Sequence, residues 1–139
     1  AQEQAGSGSF VCPVQPTSAV SFTDTWGAAR SGGRSHQGTD MMAAHGTATV
    51  APVDGRVEHR GTSLGGLSWY LYGDNGDTYY GTHLQSYDNQ GAGWVAAGTV
   101  IGAVGSSGNA TADAPHLHFE HHPGGGAAVN PYQILAAAC

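Results

Sequence analysis

The sequence predicts an all-β fold: a small, mostly antiparallel β-sheet domain, two-layered and sandwich- or barrel-like. Three observations carry this. Glycine is abundant, with 23 residues, and no long amphipathic run appears, so short strands joined by tight turns are favoured over helices. Aromatic-rich runs in SWYLYGDNGDTYYGTHL flank Asn75-Gly76, a pair suited to the positive φ angles of a tight hairpin turn. Finally, PHLHFEHH, residues 115–122, alternates polar and apolar residues with the period of a strand.

The elements follow in order. Residues 1–10 read as a flexible tail, and 11–139 as one folded domain. SFTDTWGAARSGGRSHQGTD is mostly loop with one strand at its apolar start. TATVAPVDGRVEHRG gives two short strands either side of a VDG turn. The Asn75-Gly76 hairpin comes next, then a strand pair in GWVAAGTVIGAVGSSG broken by Gly98 and Gly102. PHLHFEHH is a further strand, and one helical turn is expected around Pro131–Leu135.

Leu, Ile, Val and Phe number only 21 of 139, so the core is modest and calls for reinforcement. Cys12 and Cys139 are the two cysteines; a pair placed near the two ends predicts a disulfide and an oxidising compartment. Closing so long a loop stabilises by about 4–5 kcal/mol in the chain-entropy treatment. The net charge is −6, with Arg30, Arg34, Arg56 and Arg60 the only basic residues besides histidine. That excludes nucleic acid as a partner held by charge. Apolar stretches are too short to span a membrane, and a monomer is expected.

Eight histidines stand out in a chain without lysine, four of them within residues 115–122. On a strand His116, His118 and Glu120 point one way, and Leu117 and Phe119 the other, into the core. Imidazoles buried side by side need water or a metal between them. His121 and His122 read as exposed rim residues, and His45 and His59 as surface or loop histidines. In SHQGTD, His36 and Asp40 are donors of types zinc accepts. Fully extended they would stand about 13 Å apart, so a bend at Gly38 is needed to bring them together. In YYGTHL, alternation puts Tyr79, Gly81 and His83 on one face. Tyr79, Tyr80, Trp69 and Tyr72 are expected in the core, Trp94 outside it.

In this order, HQGTD, GTATVAPVDGRV, the histidine of YYGTHL, GAVGSSGN and PHLHFE resemble the lysostaphin-type (LytM-type) zinc endopeptidases, which cut peptide bonds in bacterial peptidoglycan. The resemblance covers residues 20–135. It implies a small antiparallel β fold with long loops forming a substrate groove, one Zn2+ per chain, and His36, Asp40 and His118 as its ligands, with His83 and His116 catalytic. Which of the HLH pair binds metal is decided by the resemblance alone. The chain reads GSSGNATADAPH where the family's loop has the form GSTGNSTAPH, two residues shorter, and this loop borders the groove.

Two histidines and a carboxylate leave zinc a fourth position for water, as in hydrolytic sites, and His83 and His116 would flank that water and the scissile carbonyl. The implied protein is a secreted zinc metalloendopeptidase active on the stem peptides or cross-bridges of the cell wall, lytic or remodelling. Arg30 and Arg34 could meet a substrate carboxylate. The alternative is a catalytically silent, zinc-containing wall adaptor that activates other hydrolases.

Overall fold

The computed structural model describes residues 10–88, 92–110 and 113–139. Among the described residues, nine strands, β1 (Val14–Gln15), β2 (Thr39–Met42), β3 (Ala48–Val50), β4 (Gly55–Thr62), β5 (Gly66–Gly73), β6 (Thr78–Tyr87), β7 (Gly93–Val95), β8 (Val100–Val104) and β9 (His116–His122), precede one α-helix, α1 (Tyr132–Ala138). All pairings are antiparallel, as the sequence predicts, and the strands run β1-β3-β8-β6-β5-β4-β7 in one sheet.

The sheet forks at β6. One edge of this ten-residue strand pairs with β5; the other is shared, its first half with β9 (Thr78↔His122 to Thr82↔His118) and its second with β8 (Leu84↔Val104). β2 completes the β9 branch, with Asp40 opposite His118 and Met42 opposite His116. The fork thus carries the HLH strand out of the main ladder.

Alternation in β9 works as expected: Leu117 and Phe119 are fully buried. Phe119 packs against Trp69, Tyr79 and Phe10, so Phe10 belongs to the core packing; the rest of the expected tail, residues 1–9, lies outside the described residues. Trp69 is also fully buried, and its indole N–H donates to the Thr49 hydroxyl, which in turn donates to the Pro13 carbonyl. That ring lies flat across Gly81, where a Cβ would collide with the indole atoms. Tyr79 is core as expected, whereas Tyr72 and Tyr80 are only half-buried and Trp94 is 60 % exposed.

The hairpin forms over 66–87, but of its turn pair only Gly76 has positive φ, +90°. The connection is therefore longer than a two-residue turn, closed by Gly73 N–H to Asp77 and Gly76 N–H to Gly73. The strands expected around VDG and within GWVAAGTVIGAVGSSG are present but do not pair with each other. β3 pairs with β1 and β8, and β4 with β5 and β7. The terminal helix is seven residues rather than a single turn and buries Leu135. Cys12 and Cys139 are joined in a disulfide with Cα atoms 5.1 Å apart.

Candidate metal centre

The site begins with a bend. Between His36 and β2, Gly38 turns the chain so that His36 and Asp40 converge, with His36 Nε2 3.1 Å from Asp40 Oδ1. Only glycine fits: a Cβ on residue 38 would strike the Phe119 carbonyl and stand 3.0 Å from the His118 ring. Antiparallel register then supplies the third donor, because Asp40 faces His118 directly across β2 and β9. His118 Nδ1 lies 3.1 Å from Asp40 Oδ1 and 3.0 Å from His36 Nε2.

Three donors thus form a nearly equilateral triangle. Atoms bound tetrahedrally at 2.0–2.1 Å to one ion stand about 3.3 Å apart, so the triangle is close to the size zinc requires. The tautomers agree. His36 Nδ1–H points at the Thr25 carbonyl and hydroxyl oxygens, 3.2 and 3.0 Å away; the carbonyl can only accept, which leaves Nε2 bare. His118 Nε2–H donates to Glu120 at 2.7 Å, which leaves Nδ1 bare. Each imidazole is oriented from behind by an oxygen acceptor, the usual arrangement around a metal. Two bare nitrogens and a carboxylate oxygen at this spacing repel one another unless a cation or a proton lies between them, so the residues present fit a divalent ion.

The charges respond accordingly. Burial opposes the Asp40 carboxylate, yet the His118 and His36 imidazoles beside it, which donate to it when protonated, hold its pKa well below the usual range. Burial also opposes a charge on His118, but its bonds to Asp40 and Glu120 prevail and raise its pKa to about 9. The Arg30 guanidinium contacts the other oxygen of Asp40 at 3.2 Å.

His116 and His83 stand beside the triangle. His116 Nε2 is 3.6 Å from Asp40 Oδ1, and its Nδ1–H donates to the Ala114 carbonyl at 2.9 Å. His83 is buried, with Nδ1–H donating to the Ser107 carbonyl at 2.8 Å, and its ring centre lies 4.9 Å from that of His116. Burial, only partly offset by the Ser107 bond, lowers the His83 pKa to about 4. The structure corrects the expected alternation here. Tyr79 is buried in the core and Gly81 lies beneath Trp69, while His83 reaches the other side with Tyr80 and Thr82. Its φ is +65°, the left-handed region that few side chains other than Asn, Asp and His adopt, and this resets the strand's parity.

All five residues open onto one groove of about 780 Å³, whose lining also includes Tyr70, Tyr80, Glu120 and both Arg30 and Arg34. Two expectations fail nearby. His121 and His122 are not exposed rim residues: their side chains are 15 % and 13 % exposed, the first bonded to Asp77 and stacked on Tyr79, the second bonded to Glu120. His59 is not in a loop but lies half-buried in β4, stacked on Tyr87 and bonded to the Ile101 carbonyl. His45 is exposed as expected, 2.8 Å from the Ser106 hydroxyl. Thr25, Ser107 and the double role of Glu120 escaped the sequence reading. Only Glu120 carried a signal, since it shares the face of His116 and His118.

An open antiparallel sheet thus holds a His-Asp-His triangle able to take a divalent ion, with two further imidazoles beside it in one groove. Residues 34–131 match the family model described as Peptidase family M23, and the chain belongs to that family. A relative named L-Ala–D-Glu endopeptidase, from Bacillus subtilis, is 32 % identical over 145 residues, 95 % of this chain and 44 % of the relative. The DD-carboxypeptidase/endopeptidase Mpg of Neisseria meningitidis is 39 % identical over 103 residues, 73 % of this chain and 23 % of the relative. The chain therefore spans less than half the length of these curated relatives. Among solved structures, the catalytic domain of lysostaphin from Staphylococcus simulans superposes with a TM-score of 0.72 at 28 % identity, over 84 % of this chain and 92 % of that one. The catalytic domain of the prophage-encoded M23 protein EnpA from Enterococcus faecalis gives 0.67 at 31 %, over 81 % and 89 %.

Proposed function

We propose that this protein is a zinc-dependent endopeptidase that hydrolyses peptide bonds in the stem peptides or cross-bridges of bacterial peptidoglycan. The observation that carries the reading is the triangle of His36, Asp40 and His118 with His83 and His116 beside it in one groove. The names of the M23 relatives, an L-Ala–D-Glu endopeptidase and a DD-carboxypeptidase/endopeptidase, support the substrate. The disulfide fits work outside the cell. No helix among the described residues is long and apolar enough to cross a membrane. We take the protein to act as a secreted monomer with one zinc per chain, in wall lysis or remodelling.

In this reading His36 Nε2, Asp40 and His118 Nδ1 hold the zinc. When bound, it polarises the scissile carbonyl and lowers the pKa of water from 15.7 towards about 7. His83 and His116 each keep a proton on Nδ1, donated to a backbone carbonyl, and present a bare Nε2 to the groove. One accepts the proton of the attacking water; protonated, an imidazole of this kind also donates a hydrogen bond to the tetrahedral intermediate. Burial keeps His83 neutral through the working range, so it stays an acceptor until the reaction delivers a proton. The adaptor alternative is less favoured, because activating another hydrolase requires none of these five side chains in register.

Mass spectrometry of fragments released from chemically distinct peptidoglycans tests the reading, with His116→Ala as the control and zinc measured in both proteins. Release that disappears in the variant while zinc stays bound supports it. Bound zinc with no fragments from either protein favours the adaptor, and equal release from both proteins removes His116 from catalysis.

A further inference from the structure

β6 changes partners at His83. On one edge its pairing with β9 ends at Thr82↔His118, and its pairing with β8 begins at Leu84↔Val104. On the other edge the ladder with β5 passes from Trp69↔Gly81 to Leu67↔Leu84, so Thr82 and His83 together oppose Ser68. Two residues against one make a β-bulge, a device that re-aims side chains next to active sites. Among the described residues, none of these ladders gives His83 a strand partner. Its left-handed backbone and its ring must be held from elsewhere.

Ser107, in the loop after β8, holds them with both its side chain and its backbone. Its hydroxyl accepts the Leu67 N–H at 3.1 Å and donates to the Leu84 carbonyl at 2.6 Å. Leu67 and Leu84 face each other where the bulge closes, so one oxygen pins β5 to β6 at that point. The Ser107 carbonyl accepts the His83 Nδ1–H at 2.8 Å. The same loop is seated against the turn between β4 and β5, where the Asn109 N–H donates to the Leu64 carbonyl at 2.9 Å and the His83 N–H to the Gly65 carbonyl at 2.7 Å. Backbones meet so closely there that a Cβ on Gly66 would collide with Ser107 and Gly108. With so little slack, the hydroxyl fixes where the Ser107 carbonyl stands. The carbonyl in turn decides which His83 nitrogen carries the proton.

We propose that Ser107 is a positioning residue: its side chain locks the bulge of β6, so that its carbonyl holds His83 in one tautomer with Nε2 turned to the groove. The role in turnover rests on the endopeptidase reading above; the tautomer does not.

The test uses the full chain, zinc-loaded for turnover of a peptidoglycan peptide found to be cleaved by mass spectrometry, and zinc-free for nitrogen NMR of the imidazoles. In the native protein His83 should carry its proton on Nδ1, and the opposite tautomer would overturn the proposal. Ser107→Ala should give mixed tautomers at His83 and lower kcat by about 10–100-fold, the scale of a small misplacement of a reacting group. KM and zinc content should not change. Ser107→Thr, which keeps the hydroxyl, should behave like the native protein. Ser106→Ala, which removes the hydroxyl beside His45, should alter neither readout. A double-mutant cycle separates positioning from a general loosening of the fold: in the His83→Ala background, Ser107→Ala should lower kcat no further. Additive losses, or a kcat that falls while His83 keeps its native tautomer, would overturn the proposal and leave the hydrolase reading standing. Should Ser107→Ala not fold, Ser107→Cys, whose thiol is a weaker donor and acceptor, should show both changes in smaller measure, and native behaviour in it would count against the role. A native protein that cleaves no peptidoglycan would remove the hydrolase reading and the kinetic role together, while the NMR measurement would still decide the positioning.

Discussion

In the proposed function, zinc and a proton compete for His118. In the zinc-free protein burial disfavours a charge on this imidazole, but Asp40 and Glu120 more than compensate and its pKa is raised from 6.5 to about 9. At pH 7 the space between His118 Nδ1 and Asp40 therefore holds a proton, and an ion bound through that nitrogen must displace it. Below the pKa, displacing one proton weakens the observed affinity tenfold per pH unit, so about 100-fold, or about 2.7 kcal/mol, at pH 7. Calorimetry of zinc binding at pH 6.5, repeated in buffers of different ionisation enthalpy, should register release of about one proton per ion. The association constant should rise about tenfold per unit from pH 6 to 8. A water on the ion would add release only near and above about pH 7, so the acid-side measurement keeps that contribution out. Flat affinity over this range with no proton released would refute the argument. Stability without zinc follows the same linkage. With a folded pKa above its unfolded value, His118 stabilises fully below pH 6.5 and loses that contribution as pH rises through about 9. Asp40, held low, acts in the opposite sense: it stabilises above its unfolded pKa and is lost in strong acid.

Three other perturbations have defined outcomes. Replacing His83 with Ala should lower kcat by about 10²–10⁴-fold, the usual share of a general acid or base, while zinc content by elemental analysis stays at one per chain. Gly38→Ala should separate β2 from β9, since the new Cβ meets the Phe119 carbonyl and the His118 ring; a lower melting temperature and weaker zinc binding are expected together, and an unchanged zinc affinity would contradict the assigned bend. Reducing the Cys12–Cys139 bridge releases a loop closed over 127 residues, which should lower the unfolding free energy by about 5 kcal/mol in denaturant titrations.

What the sequence disclosed was local. The period-two pattern of PHLHFEHH placed Leu117 and Phe119 in the core and His116, His118 and Glu120 opposite, as β9 shows. The need for a bend at Gly38 followed from reach alone. The choice between His116 and His118 did not, because both share a face; the pairing of Asp40 with His118 across strands 78 residues apart separates them. Partner choice for β3, β4, β7 and β8 is equally non-local. His83 was misplaced for a different reason: period-two counting assumes every residue is extended, and one left-handed residue shifts the count. His121 was misread although the pattern held the answer, since it falls on the same side as Leu117 and Phe119, where Tyr79 stacks on it.

The bridge between Cys12 and Cys139 has a further consequence for how the chain responds to a protease. From residue 12 to residue 139 the polypeptide is a covalent ring. A single nick in a surface turn, such as the exposed stretch at Asp74–Gly76, opens that ring without producing two separate pieces. The cut strands stay tethered at the same spot, so re-docking is intramolecular and favoured by a high effective concentration. Non-reducing electrophoresis of briefly digested material should show one full-mass band that divides only when thiol is added.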